Sequence, residues 1–372
     1  DVFRTPAGVC ASPLSLEIPM KSGRTLVDLA VELKRQLASK KDVVVASSHL
    51  TCMTGESKLC SLLIQEADGL RTYETTELAR RQLADKLKIP FAYFERMRQE
   101  QPALLDRNVN TWFAVEDDNR MIRTLDGKVR AVLSSRYRRL DNFDLAEQVL
   151  PVLQRLPGAR FESVELTDTK MYLKVVTPSV EYEVAPGDVI QAGVVVSNSE
   201  VGCGTLSVQP LIYRLVCSNG LIASDRSLRK THIGKMIETG DEAVTVFQDD
   251  TLRADDKAFF LKVRDVVQAA VSEATFRQIG DKLQKTMGIR LTDDPVKTVA
   301  VLANRYGLNE PERTGVLQHL IEGHDLSAYG LVNAVTHFSQ EVGDYDRATE
   351  FESLGGKLID LSQNEWKELV AA

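Results

Sequence analysis

Most of what announces an enzyme is missing from this chain. It has no GxxxxGK[ST] phosphate loop, no GxGxxG after a strand, no GxSxG elbow and no HExxH metal pair. Its five cysteines (Cys10, Cys52, Cys60, Cys203 and Cys217) are odd in number and never spaced as CxxC. That argues against a disulfide framework and for a reducing compartment. No stretch approaches the ~20 apolar residues that span a bilayer. The opening DVFRTPAGVCASPLSLEIP lacks the basic-then-apolar order of a secretory signal. The expectation is a cytoplasmic protein with no membrane partner and no cofactor.

What remains is an ordinary globular composition. With 372 residues, 43% of them hydrophobic, the chain can bury a sizeable core in two or three lobes. The net charge of −7 is unevenly spread. Residues 291–372 hold 6 Lys+Arg against 14 Asp+Glu, and the rest of the chain sums to +1. Any nucleic-acid surface must therefore be a local patch.

Periodicity gives the coarse architecture. Residues 24–40 read as an amphipathic helix and 43–50 as a strand. Residues 74–99 read as two helices joined at Ile89-Pro90, either a DNA-binding helix-turn-helix or a hairpin packed on the core. NTWFAVED (110–117), MIRTLDG and KVRAVLSSRYRRL read as strands, and 143–156 as a helix. FESVEL-TDTK-MYLKVVT (161–177) is the clearest hairpin, followed by strands at 188–199 and 205–217. Pro210 marks a bend or an edge in the last of these. Residues 256–287 form the longest helical pattern, and helices follow at 292–308, 311–324 and 326–342. The fold class is α+β: a central antiparallel sheet with a long packing helix, a helical N-terminal part and an acidic helical C-terminal lobe. The expected divisions are 1–105, 106–290 and 291–372.

Catalytic groupings are weak. His319 and His324 stand five apart, which places them on different faces of one helix. Cys203 and His232 form a conceivable thiol–imidazole pair with no orienting acid in view. The aspartate pairs 117–118, 249–250, 255–256 and 293–294 lack the spacing of a calcium loop. No catalytic or metal-ligating residue is assigned. A nuclease built from dispersed carboxylates leaves no local pattern and stays open as an alternative.

Two basic clusters exceed the background. Between 120 and 139 stand Arg120, Arg123, Lys128, Arg130, Arg136, Arg138 and Arg139 against Asp126 alone, with Tyr137 among them. Between 214 and 235 stand Arg214, Arg226, Arg229, Lys230 and Lys235 against Asp225 alone. Guanidinium groups pair with phosphate oxygens, and a tyrosine stacks on an unpaired base. The competing reading is ion pairing with carboxylates of the same chain or of another subunit. A basic sheet followed by a long helix is similar in topology to the β-β-β-α core of single-strand annealing recombinases.

Three stretches carry a family likeness: IRTLDGKVRAVLSSRYRRLDNFDLAEQVLPVL, VVVSNSEVGCGTLSVQPLIYRLVCSNGLI and SAYGLVNAVTHFSQ. They resemble the phage- and plasmid-borne family known as domain of unknown function 932, across roughly residues 70–345. VSNSEVGCGTLSV and the YGLVNAVT helix are its most specific pieces. Relatives read Asn-Thr-Leu where this chain has Asn219-Gly220-Leu221, leaving an Asn-Gly turn or an Asn-capped helix open there. The resemblance brings no catalytic residues and implies a mobile-element accessory protein in DNA metabolism. The expected function is non-enzymatic binding of single-stranded DNA, as a homo-oligomer, in annealing or recombination. A protein-interaction module acting on host defence is the other alternative.

Overall fold

The computed structural model describes residues 23–66, 69–116, 118–137, 139–215, 219–223, 249–291 and 294–370. The fold is α+β, with two sheets rather than one central sheet. The first has six strands: β1 (Lys41–Ala46), β2 (Leu50–Thr54), β3 (Cys60–Glu66), β4 (Gly69–Thr75), β5 (Asn119–Leu125) and β6 (Lys128–Ser134). Their spatial order is β1-β5-β6-β4-β3-β2, antiparallel except where β4 lies beside β6. Helices α2 (Glu77–Lys86), α3 (Phe91–Glu100) and α4 (Pro102–Val115) pack on it. The pair at 74–99 is thus a core-packing hairpin, with Leu83, Phe94 and Met97 buried.

The N-terminal part holds four strands, β1 to β4, among its helices. In β2, Leu50, Cys52 and Thr54 alternate inward with Thr51 and Met53 outward, the mark of a half-buried strand. Residues 110–115, expected as a strand, belong to α4. Pro102 sits in its first turn, and Leu105, Val109 and Phe113 bury one face at intervals of four. This helix crosses the expected 105/106 division. It also covers the sheet edge: Asn110 bonds both the amide and the carbonyl of Cys52, and Asp106 accepts from the Thr54 amide.

The second sheet is antiparallel, in the order β11 (Asn219–Ile222), β10 (Ser207–Arg214), β9 (Asp188–Asn198), β8 (Met171–Ala185), β7 (Arg160–Leu166). Val194 and Val196 join a core with α1 (Leu26–Ser39), α5 (Asn142–Gln154) and α6 (Asp249–Ala270). Val195 and Val176 point to the opposite face. Asn219 and Gly220 pair with Arg214 and Tyr213, so they open a strand rather than a turn or a helix. The long helix expected at 256–287 is broken: α6 ends at Ala270, and Ser272 caps α7 (Glu273–Thr286).

The C-terminal helices are α8 (Pro295–Tyr306), α9 (Glu310–Glu322), α10 (Ala328–Phe338), α11 (Tyr345–Ile359) and α12 (Gln363–Val370). Helix α11 comes so close to β11 that a Cβ on Gly356 would stand 1.9 Å from the Ile222 carbonyl oxygen. Only glycine permits that approach.

Candidate functional site

The two sheets meet at the turn after β9. Val201 packs against Met121, Ala131 and Leu133 on the back of the six-stranded sheet. Gly202 has φ +79° and lies under Leu133, whose Cδ2 would be 2.6 Å from any added Cβ. Ser199 organises the turn: its hydroxyl donates to the Thr169 carbonyl (2.7 Å) and accepts from the amides of Val201 and Cys203. Asn198 donates to the Leu140 carbonyl and to Asn142 Oδ1.

Below the turn lies a buried charge network. The Glu200 carboxylate accepts from Arg130 (2.5 Å) and from the Asn142 amide (2.5 Å), with Lys40 at 3.9 Å. The Glu200 carbonyl accepts from Arg123 (2.8 Å). Arg123 is fully buried, grips both oxygens of Asp42 (2.9 and 3.1 Å) and bonds Asp141 (2.6 Å). Burial works against the charge on Arg123, but the two aspartates outweigh it and raise its pKa. Burial likewise opposes the Asp141 carboxylate, and Lys40 and Arg123 overcome it and hold its pKa below the usual range.

Several of the residues expected to form an arginine surface are instead buried or paired within the chain. Arg120 is buried against Ser47 and Glu116, and Arg214 grips Asp188 through two nitrogens (2.7 and 2.6 Å). With Arg123 and Arg130 they face carboxylates of their own chain, because a buried guanidinium must be paired. Arg120 and Arg123 are buried there, out of reach of a strand on the surface, whereas the half-buried Arg130 keeps an Nε with no acceptor. Lys128, Arg136 and Arg139 are exposed. Tyr137 is half-buried, and its hydroxyl donates to the Ser199 carbonyl rather than standing free to stack. Arg138, Arg226, Arg229, Lys230 and Lys235 lie outside the described residues.

The exposed Arg136 and Arg139 and the half-buried Lys170 stand at the rim of the turn. Arg136 precedes the tyrosine that bonds Ser199, and Arg139 lies 3.7 Å from Asp42. On the other side Lys170 follows Thr169, whose carbonyl takes the Ser199 hydroxyl, and its Cε would touch a Cβ on Gly204. Asp346 lies behind, bonded to the hydroxyls of Thr167 and Thr169. Burial raises the pKa of the Cys203 thiol more than the nearby Lys170 lowers it, so the nucleophile reading has no support. Beside the turn opens a cleft of ≈ 370 Å³, lined by residues of both sheets, with Lys128, Arg130 and Lys170 among them.

Sequence spacing missed one pairing. His319 meets His337 rather than His324, with Nδ1 atoms 3.0 Å apart, and its Nε2 lies 2.8 Å from Glu341. Among the described residues no group of three or more His, Cys, Asp or Glu side chains is placed to hold a metal ion. Burial, then the neighbouring His319, pushes the His337 pKa down. The neutral form therefore belongs to the folded state. Stability is full above the unfolded value of about 6.5 and declines as pH falls below it, by at most ~1.4 kcal/mol per unit. Urea midpoints measured from pH 7.5 to 5.5 are expected to fall in the native chain, and to fall less in His337→Gln.

A family model described as Domain of unknown function (DUF932) matches residues 129–356, well over half of the chain. No curated protein and no solved structure matches it.

Proposed function

The chain belongs to the DUF932 family, and on that premise we propose that it binds single-stranded nucleic acid across the turn Ser199–Gly204 without cutting it. The observation that carries this reading is where the unpaired cations stand. Arg136 and Lys170 make no ion pair among the described residues, and Arg139 touches Asp42 only at 3.7 Å. They flank a turn whose exposed Gly202 and Gly204 leave bare backbone for a strand to approach. Phosphates then track the rim, while the buried arginines hold the turn from below. Three contacts per protomer give weak binding, so several copies along one strand supply the affinity.

Neutralising about three phosphates predicts a slope of log affinity against log salt near −2 for one protomer on a short oligonucleotide. Fluorescence anisotropy at 50 and 200 mM salt measures it. The triple variant Arg136→Glu, Arg139→Glu, Lys170→Glu is expected to abolish binding without lowering the melting temperature. No binding by the native chain at micromolar concentration and low salt would sink the reading. Fragmentation of the strand on adding Mg²⁺ would replace it with a nuclease.

A further inference from the structure

The cleft beside the turn has free valences of both signs, and they are not accounted for by a strand lying on the rim. Its cations are underused. Arg130 Nε is buried with no acceptor, Lys170 makes no ion pair among the described residues, and Lys128 is exposed and held only by Glu74 at 3.4 Å. Most of its carboxylates are already engaged. Glu200 is held by Arg130 and Asn142, Asp126 by Arg35 and Ser39, and Glu77 by Arg81. Asp168 is exposed and makes no hydrogen bond or ion pair among the described residues.

A ligand that satisfies this lining must bring an anion with several acceptors, and separately at least one donor. It must also be larger than a bare anion, since ≈ 370 Å³ lies in the range of small-molecule sites. We propose that the cleft binds one nucleotide, its phosphate on Lys128, Arg130 and Lys170 and an amino-bearing base on Asp168. Guanine fits best, because its ring N–H and exocyclic amine present two parallel donors to one carboxylate. A free mononucleotide and the end of a bound strand share this chemistry. The inference shares Lys170 with the strand reading and otherwise rests on the cleft and not the rim.

Calorimetric titration of the full chain with dGMP, dTMP, deoxyguanosine and inorganic phosphate tests it. dGMP is expected to bind about tenfold more tightly than any of the other three, the worth of one charge-assisted hydrogen bond. Lys128→Ala and Asp168→Asn are each expected to weaken dGMP about tenfold. Both positions are exposed, so an unchanged melting temperature certifies the fold. Arg136→Glu is expected to leave dGMP binding intact, which separates this site from the rim. Displacement of a 5′-phosphorylated strand by dGMP identifies the strand end as occupant, and dGMP binding without displacement identifies the free nucleotide. The proposal is overturned by no heat from dGMP at millimolar concentration, by phosphate binding as tightly as dGMP, or by unchanged affinity in both cleft variants.

Discussion

Lys174→Met is expected to lower stability by about 3–5 kcal/mol, read as a fall in urea midpoint at unchanged slope. Lys174 is buried on β8, and Glu352 is buried on α11. Lys174 Nζ lies 2.6 Å from that carboxylate, 3.2 Å from the Thr349 hydroxyl and 4.7 Å from the centre of the Tyr345 ring. Burial pulls the lysine pKa down, and Glu352 and Tyr345 more than restore it, so the lysine is charged in the fold. Removing the ammonium takes from the buried Glu352 carboxylate its partner at 2.6 Å, which costs more than the pair itself contributes. The double variant Lys174→Met, Glu352→Leu is therefore expected to recover most of the loss. If the double falls as far as the single, the cost lies in packing and not in the broken charge pair.

That pair shows why part of the fold was legible in the sequence and part was not. The hairpin 161–177 and strands 188–198 and 207–214 were legible because apolar alternation and polar turns are local signals. Lys174 sits in MYLKVVT as one more alternating polar residue, and its partner is 178 residues away. Helix α4 was misread because Trp112, Phe113 and Val115 favour strands by type, while the spacing of Leu105, Val109 and Phe113 decided the outcome. The ion pairs within the basic cluster were hidden for a related reason. A count of charges along the chain carries no information about partners. Strand β5 is buried from Arg120 to Thr124 with no exposed alternate positions, because helices cover one face and the turn with its flanking segments covers the other. Asp42 and Glu200, which claim Arg123, come from 81 and 77 residues away. The turn Ser199–Gly204 stood out as part of the family-specific stretch VSNSEVGCGTLSV, but its role in joining two sheets was invisible until both existed.

Arg123→Met is expected to cost about as much as Lys174→Met, roughly 3–5 kcal/mol, and to separate the buried arginines from the rim. Met keeps the apolar stem but removes five donors. Asp141 retains Lys40 at 2.6 Å, whereas Asp42 keeps only the distant Arg139. Arg123→Lys is expected to rescue little, since one ammonium cannot grip both oxygens of Asp42 and still reach Asp141 and the Glu200 carbonyl. Acid adds an independent readout. The folded Asp141 pKa is depressed, so its contribution is present above the unfolded value of about 3.9 and is lost as pH falls through the folded one. With Arg123 gone that depression shrinks, and acid unfolding is expected to begin at higher pH. Strand binding should behave oppositely. Arg123→Met, held folded at low temperature, is expected to bind a short oligonucleotide with the native salt slope. Arg136→Glu is expected to keep native stability and lose binding. A folded Arg123→Met with a shallower salt slope would mean that this arginine reaches a phosphate, and would return the buried cluster to the binding surface.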